Sequence, residues 1–228
     1  MGLKRAIIDS PLYDLLGKRS YSQAGEDLIA WSELNKIKRG FYVDIGAYHP
    51  KQFSNTYFFY ERGWRGVVVE PNSEMIRLYG KLRKRDIALG VGVGESSGVA
   101  DYYLFDHPAV NTFDPETARL NEEVGRRLIE KRPMAVLTLE KVLQDYLPKG
   151  RDIDLLSVDT EGTDEQVLRS NNWKKYRPKI VVCEDLGYVW DKPLRSGVAK
   201  LMRNYGYGLL GMTPYSLLFT DKEGPEKE

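Results

Sequence analysis

The chain has 228 residues, of which 42% are hydrophobic, and this suits one α/β domain built around a single core. Its formal net charge of +1 argues against a general electrostatic affinity for nucleic acid or anionic membranes, and no apolar stretch is long enough to span a bilayer. One cysteine and two histidines argue against a disulfide framework and the usual zinc cage, so we expect a cytoplasmic protein.

The first third of the chain predicts two buried parallel strands joined by a short helix. Residues 1–38 are expected to form a helical extension, in which an amphipathic helix follows Ser22. The apolar run 41–45 predicts the first strand, and the run 67–70 predicts the second. A short helix over 54–62 is expected to connect them.

Each of these two strands ends in a carboxylate, Asp44 in the first and Glu70 in the second. Open α/β sheets bind ligands at the carboxyl ends of their strands, and an acid about 20 residues beyond a glycine turn can accept both hydroxyls of a ribose. The turn 46–51 has one glycine, two bulky rings and a proline without an N–H, so it serves a diphosphate poorly. S-adenosylmethionine has no phosphate and carries positive charge, which suits Asp44. The alternative is that both acids only cap neighbouring helices.

The same alternation of helices and strands continues to the end of the chain. Further helices are expected from Asn72 or Ser73, from Thr138 and from Pro193, and further strands over 87–93, 99–105, 153–158, 180–183, 208–211 and 217–220. The last two strands are expected to form an antiparallel edge of a parallel sheet, and residues 221–228 a frayed tail. The whole chain is therefore interpreted as a single domain.

Residues 106–135 interrupt this pattern and are interpreted as a surface insertion or lid. Asp114 and Pro115 open a charged helix there, but no apolar face continues along it. Asn111 and Thr112 precede this helix and are candidate substrate contacts, with a role in the turn as an equal alternative.

The fourth and fifth strands are followed by a second set of acids. Asp159 and Glu161 follow the fourth strand, while Glu184 and Asp185 follow the fifth, so neighbouring parallel strands bring them together. We predict that Asp159, Glu184 and Asp185 bind Mg²⁺ and activate an acceptor hydroxyl, with Asp159 and Glu184 as catalytic residues. Alternatively, Asp159 and Glu161 cap the next helix or bind the amino acid end of the cofactor, while Glu184 pairs with a basic residue. His49 is the alternative catalytic base.

Eight short segments occur in order along most of the chain, at 21–27, 43–50, 54–56, 63–66, 70–71, 111–113, 159–162 and 173–178. Together they resemble the FkbM-type S-adenosylmethionine-dependent methyltransferases. The resemblance implies a class I methyltransferase fold, in which a mostly parallel seven-stranded sheet has an antiparallel last strand and helices on both faces. It also implies O-methylation of a hydroxyl on a sugar, glycan or related natural product.

The resemblance also implies roles for individual residues. Asp44 and Gly46 match the motif that holds the methionine end of the cofactor, and Glu70 matches the acid that binds ribose. The full predicted cofactor set is Asp44, Gly46, Ala47, Glu70, Pro71, Ser22 and Gln23. The carboxylates predicted to bind Mg²⁺ are similar in position to those of magnesium-dependent O-methyltransferases.

The sequence therefore predicts an S-adenosylmethionine-dependent O-methyltransferase with a small-molecule or glycan acceptor and, as a further candidate, Mg²⁺. Two alternatives from other classes remain. One is a binding module that keeps the cofactor pocket without transferring a methyl group, and the other is a nicotinamide-dependent oxidoreductase, which the missing glycines disfavour. The oligomeric state stays open, with a homo-oligomer as one alternative.

Overall fold

A computed structural model describes residues 19–187 and 190–222, which fold around a seven-stranded sheet and a smaller three-stranded sheet. The strands are β1 Phe41–Ile45, β2 Arg65–Val69, β3 Ile87–Leu89, β4 Gly92–Val93, β5 Gly98–Phe105, β6 Leu128–Leu137, β7 Leu155–Val158, β8 Ile180–Glu184, β9 Tyr207–Met212 and β10 Ser216–Asp221. The helices are α1 Glu26–Leu34, α2 Tyr57–Glu61, α3 Ser73–Leu82, α4 Pro115–Glu123, α5 Leu139–Tyr146, α6 Asp164–Arg169 and α7 Gly197–Asn204.

Parts of two sequence predictions lie outside the described residues. The expected helical extension 1–38 is described from residue 19 onward, where it contains α1. Residues 1–18 of that extension, and residues 223–228 of the expected frayed tail, are not among the described residues. Within the described part of the chain, no helix combines the length and the apolar character that a bilayer crossing requires.

The large sheet has the strand order β3-β2-β1-β7-β8-β10-β9. Strands β3, β2, β1, β7 and β8 pair in parallel, whereas β10 pairs antiparallel with both β8 and β9. The predicted class I methyltransferase fold is therefore confirmed, including the antiparallel last strand. The last two strands form the expected antiparallel edge, with β10 inserted between β8 and β9 so that β9 is outermost.

Helices cover both faces of the large sheet, as expected. On one face, α5, α6 and α7 pack against β1 side chains that include Val43 and Ile45. On the other face, α1, α2 and α3 pack against Tyr42 and against Val68 of β2. All five residues of β1 are buried, which explains why its sequence shows a continuous apolar run rather than an alternating one.

The insertion differs from the expected charged helix. Helix α4 ends at Glu123, and residues from Leu128 onward form β6, which pairs antiparallel with β5. The expected third strand over 87–93 is divided, since β3 joins the large sheet and β4 joins β6 in the small one. The sequence missed β6 because most of its side chains are exposed or partly exposed, so its apolar residues show no clear period.

Candidate functional site

A cleft opens at the carboxyl edge of the large sheet, where β1, β2 and β7 end. Its floor includes Gly46 and Glu70, and Asp159 and Glu161 lie along one side. The small sheet and its connections supply the opposite wall, through Val91, Val93, Tyr102, Asn111 and Phe113. Open parallel sheets bind ligands at this edge, and the cleft is lined by both carboxylates and apolar rings.

Gly46 allows the chain after β1 and the chain after β7 to approach each other closely. Its φ is +74°, and a Cβ atom built there lies 1.7 Å from the backbone oxygen of Asp159. The Gly46 and Ala47 amides both donate to the Val69 oxygen, at 2.9 and 3.1 Å. A side chain at this position would close the floor of the cleft, so glycine is required.

Glu70 is held rigidly at the end of β2. One carboxylate oxygen accepts the Tyr48 amide at 2.9 Å, and the other accepts the Asn72 amide at 2.7 Å. The side chain is 6% exposed, and this burial raises its pKa to about 7 although both amides favour the charged form. Each oxygen retains acceptor capacity toward the cleft, as a pair of ribose hydroxyls requires. The ribose assignment itself stays a prediction.

Asp44 is not among the residues that line the cleft, although it was predicted to hold the methionine end of the cofactor. Alternation along β1 places it on the face of Tyr42, under α2 and α3, where Thr56 Oγ1 donates to it at 2.5 Å. Burial raises its pKa. Ala47 and Ser22 also lie off the cleft, since Ser22 bonds to Asp27 at the start of α1. The other predicted cofactor residues do line it: Gly46, Glu70, Pro71 and Gln23.

The structure groups Asp159, Glu161 and Glu184, with one oxygen from each within 4.8 Å of the others. Burial is the main cause that raises all three pKa values, that of Glu161 to about 7 and that of Glu184 to about 11, and repulsion by neighbouring carboxylates adds to it, from Asp164 in the case of Glu161. Two of the three predicted metal ligands, Asp159 and Glu184, are therefore together. Glu161 takes the place expected for Asp185.

Two local conformations explain this exchange. Glu161 has a φ of +52°, so the chain leaves the extended path after β7 and turns the Glu161 side chain back toward Asp159. Asp185 Oδ1 instead accepts the Gly187 amide at 3.1 Å, which directs that carboxylate into its own turn. Asp164 stabilises the turn by accepting the amides of Thr160 and Gly162 at 2.8 and 3.2 Å, a contact that the sequence did not predict.

His49 lies outside the cleft lining and serves its own loop. Its Nδ1 accepts the amides of Lys51 and Gln52 at 3.1 and 3.0 Å, so this nitrogen is unprotonated. Burial, together with the Lys51 ammonium, lowers the pKa of the imidazole. The geometry favours a loop role over the predicted alternative of a catalytic base.

The two candidate substrate residues differ in position. Asn111 lines the cleft, while its Oδ1 accepts the Phe105 amide at 2.8 Å. Thr112 is 1% exposed and donates from Oγ1 to the backbone oxygen of Glu161 at 2.7 Å, so it fixes the turn that carries the Glu161 carboxylate. The insertion is thus anchored directly to the carboxylate cluster.

Backbone strain marks the same cleft. Among the residues that the structure describes, three other than glycine have positive φ, namely Tyr48, Phe53 and Glu161, and all three line it. Such conformations are costly and persist where surrounding contacts enforce them, commonly at functional sites. Tyr102 and Phe113, with ring centroids 4.7 Å apart, form an aromatic wall of the cleft. Phe113 lies in one of the eight segments that resemble the family, but the sequence assigned no role to either ring.

Comparison with known proteins identifies the family of this chain. A model of the methyltransferase FkbM domain matches residues 44–209, which is most of the chain. The chain belongs to the FkbM methyltransferase family. Membership implies S-adenosylmethionine as the methyl donor, and the predicted resemblance is confirmed.

Solved structures of methyltransferases are also similar to this FkbM family member. The FkbM methyltransferase of Methylobacillus flagellatus KT has a TM-score of 0.48 at 15% identity, covering 92% of this chain and 50% of its own. This chain therefore spans half the length of that relative. The precorrin-6y C5,15-methyltransferase of Geobacter metallireducens GS-15 has a TM-score of 0.43 at 11% identity, covering 86% and 87%. The TehB-like S-adenosylmethionine-dependent methyltransferase of Corynebacterium glutamicum has a TM-score of 0.41 at 10% identity, covering 96% and 97%. No curated protein matches the chain.

Proposed function

We propose that this chain transfers a methyl group from S-adenosylmethionine to a hydroxyl oxygen of a sugar, glycan or related natural product. The observation that carries the proposal is one cleft that holds Glu70 at one end and the carboxylates of Asp159 and Glu161 at the other. Family membership supports the donor. The acidic end supports a neutral, hydroxyl-bearing acceptor.

Glu70 and Gly46 are the residues that fit the donor. Glu70 presents a carboxylate fixed by two backbone amides, which can accept two adjacent hydroxyls without further ordering. Gly46 leaves the floor open beside it. When bound, S-adenosylmethionine supplies a methyl group on a positively charged sulfur, and the nearby carboxylates favour that charge.

Asp159 and Glu161 are the candidates for activating the acceptor. Displacement at a methyl group requires an oxygen held in line, and loss of the hydroxyl proton makes that oxygen a better nucleophile. A carboxylate whose pKa is raised to about 7, as that of Glu161 is, accepts a proton near neutral pH more readily than an ordinary one. We assign the proton-accepting role to this pair rather than to His49.

Mg²⁺ is the second part of the proposal. Carboxylate oxygens are its preferred ligands, and three of them converge in Asp159, Glu161 and Glu184. Burial and repulsion by nearby carboxylates raise their pKa values, and a divalent cation would offset both effects, so the donor set fits the ion. These three residues would hold it, and it would supply positive charge that lowers the pKa of an acceptor hydroxyl.

Transfer of labelled methyl groups tests the function directly. The protein is incubated with labelled S-adenosylmethionine and a panel of neutral sugars, glycans and small alcohols, and we expect label in an ether that is stable to mild base. Label in an ester or an amine product contradicts O-methylation of a hydroxyl. Donor binding by calorimetry with no labelled product over the whole panel instead favours the non-catalytic binding module.

A further inference from the structure

Arg83, at the end of α3, lies completely buried beneath the loop that joins β1 to α2, residues 46–56. Its Nε donates to Asp86 Oδ2 at 2.7 Å, and its Nη2 donates to Thr56 Oγ1 at 2.9 Å. Its Nη1 donates to Ser54 Oγ at 3.2 Å and approaches the Pro50 oxygen at 3.4 Å. One guanidinium group thus binds the loop at three positions.

The charge of this guanidinium is balanced on both sides. Asp86 pairs with it directly and also accepts the Gly66 amide of β2 at 3.0 Å. Thr56 receives a hydrogen bond from Arg83 and passes one to Asp44 in β1. A buried charge is stable only when it is paired and its donors are used, and this chain of contacts meets both conditions. It also accounts for the position of Asp44 away from the cleft.

The 46–56 loop requires such an anchor because of its strained backbone. Tyr48 and Phe53 have φ values of +42° and +56°, and both side chains line the cleft. Tyr48 also donates its amide to Glu70, so any displacement of the loop releases one of the two contacts that orient the Glu70 carboxylate. Tyr79, beside the guanidinium, fixes the start of the loop by donating to the Ala47 oxygen at 2.8 Å.

We propose that Arg83 is a positioning residue for the methyl-donor site. It holds the 46–56 loop in its strained conformation and thereby sets the contact between Tyr48 and Glu70. The effect on the donor rests on the function proposed above, whereas the effect on the loop does not. Arg83 touches no part of the cleft itself and acts through the loop.

The test compares Arg83→Lys with a matched control, Arg177→Lys. Arg177 is also a buried arginine, and its Nε donates to Asp221 Oδ2 at 3.1 Å. The Asp221 amide donates to the Lys179 backbone oxygen at 3.0 Å, where β10 meets β8 at the opposite edge of the sheet. Both variants keep a positive charge and lose the planar fork of donors. We expect Arg83→Lys to weaken S-adenosylmethionine binding about tenfold or more in calorimetry, as the loss of hydrogen bonds to a charged group predicts. Arg177→Lys is expected to leave the affinity unchanged.

Amide hydrogen exchange of the 46–56 loop, without ligand, supplies a second readout. We expect faster exchange in this loop in Arg83→Lys, at a temperature where both variants are folded, and no change there in Arg177→Lys. Unchanged loop exchange in Arg83→Lys overturns the proposal, and so does an equal loss of affinity in the control. If the wild-type protein binds no S-adenosylmethionine, the proposed function fails, while exchange still decides the role of Arg83.

Thr56 provides a variant pair if Arg83→Lys does not fold. Thr56→Val removes the hydroxyl between Arg83 and Asp44, and Thr56→Ser keeps it. We expect faster exchange of the loop in Thr56→Val and wild-type exchange in Thr56→Ser. Equal exchange in the two variants contradicts the proposed anchor.

Discussion

We predict that Glu70 makes donor affinity dependent on pH. Its pKa is raised to about 7 because the carboxylate is buried at the end of β2. Ribose hydroxyls donate hydrogen bonds, and therefore favour the charged carboxylate over the protonated one. Donor binding should then strengthen as the pH rises through about 7 and weaken as the pH falls below it.

The size of this effect follows from the pKa. The carboxylate is charged in about a tenth of molecules at pH 6 and about nine tenths at pH 8, so affinity should rise about tenfold over this interval, or about 1.4 kcal/mol. Calorimetry with S-adenosylhomocysteine, in buffers of different ionisation enthalpy, measures both the affinity and the protons released. Near pH 7 about half a proton should leave Glu70 on binding.

Two variants separate Glu70 from other groups that titrate in the same range. Glu70→Gln should bind more weakly at pH 8 and lose most of the pH dependence, because its side chain does not ionise. Glu74→Gln, at an exposed position in the first turn of α3, should behave as wild type. An unchanged pH slope in Glu70→Gln would refute the reasoning and assign the titration to Glu161 or to the ligand.

Three further predictions concern the acidic cluster and the floor of the cleft. Glu161→Gln should reduce kcat about 100-fold or more, because the amide cannot accept a proton. For the same reason, wild-type kcat should fall as the pH drops through about 7 and the Glu161 carboxylate becomes protonated. A wild-type rate in the variant contradicts this role. Gly46→Ala should destabilise the fold by about 3 kcal/mol in urea unfolding and abolish donor binding, because its Cβ meets the Asp159 oxygen at 1.7 Å; unchanged stability would show that the strand ends can separate. Burial, together with the neighbouring carboxylates, raises the pKa of Glu184 to about 11 in the folded protein. Between about pH 4.5 and pH 11 the folded protein therefore keeps a proton on Glu184 that the unfolded chain has lost. The free energy of unfolding should accordingly fall as the pH rises through this range. Glu184→Gln should therefore raise the Tm at pH 8 in chelator, and Mg²⁺ should raise the Tm of the wild type alone; a lower Tm in the variant contradicts the buried repulsion.

Much of the fold could be predicted because the relevant signals are local. The continuous apolar run of β1 and the caps at Asn72, Asp114 and Thr138 depend on short-range backbone geometry, and the structure has them where the sequence indicates. The carboxylates at the strand ends follow from the same reasoning, since the ends of adjacent parallel strands meet at one edge. Glu70, Asp159 and Glu184 were found in this way.

The three-dimensional packing decided what those local signals leave open. Alternation along β1 turned Asp44 away from the cleft, but the direction of that alternation depends on which face Arg83 and α3 occupy. Glu161 joins the carboxylate cluster because its own backbone is left-handed, and Thr112 of the insertion helps to hold that conformation by donating to the Glu161 backbone oxygen. The place of β10 inside the sheet likewise depends on which partner strands are available. The sequence alone determined which residue types stand at the ends of the strands, and contacts between residues distant in the chain determined which of them face the cleft.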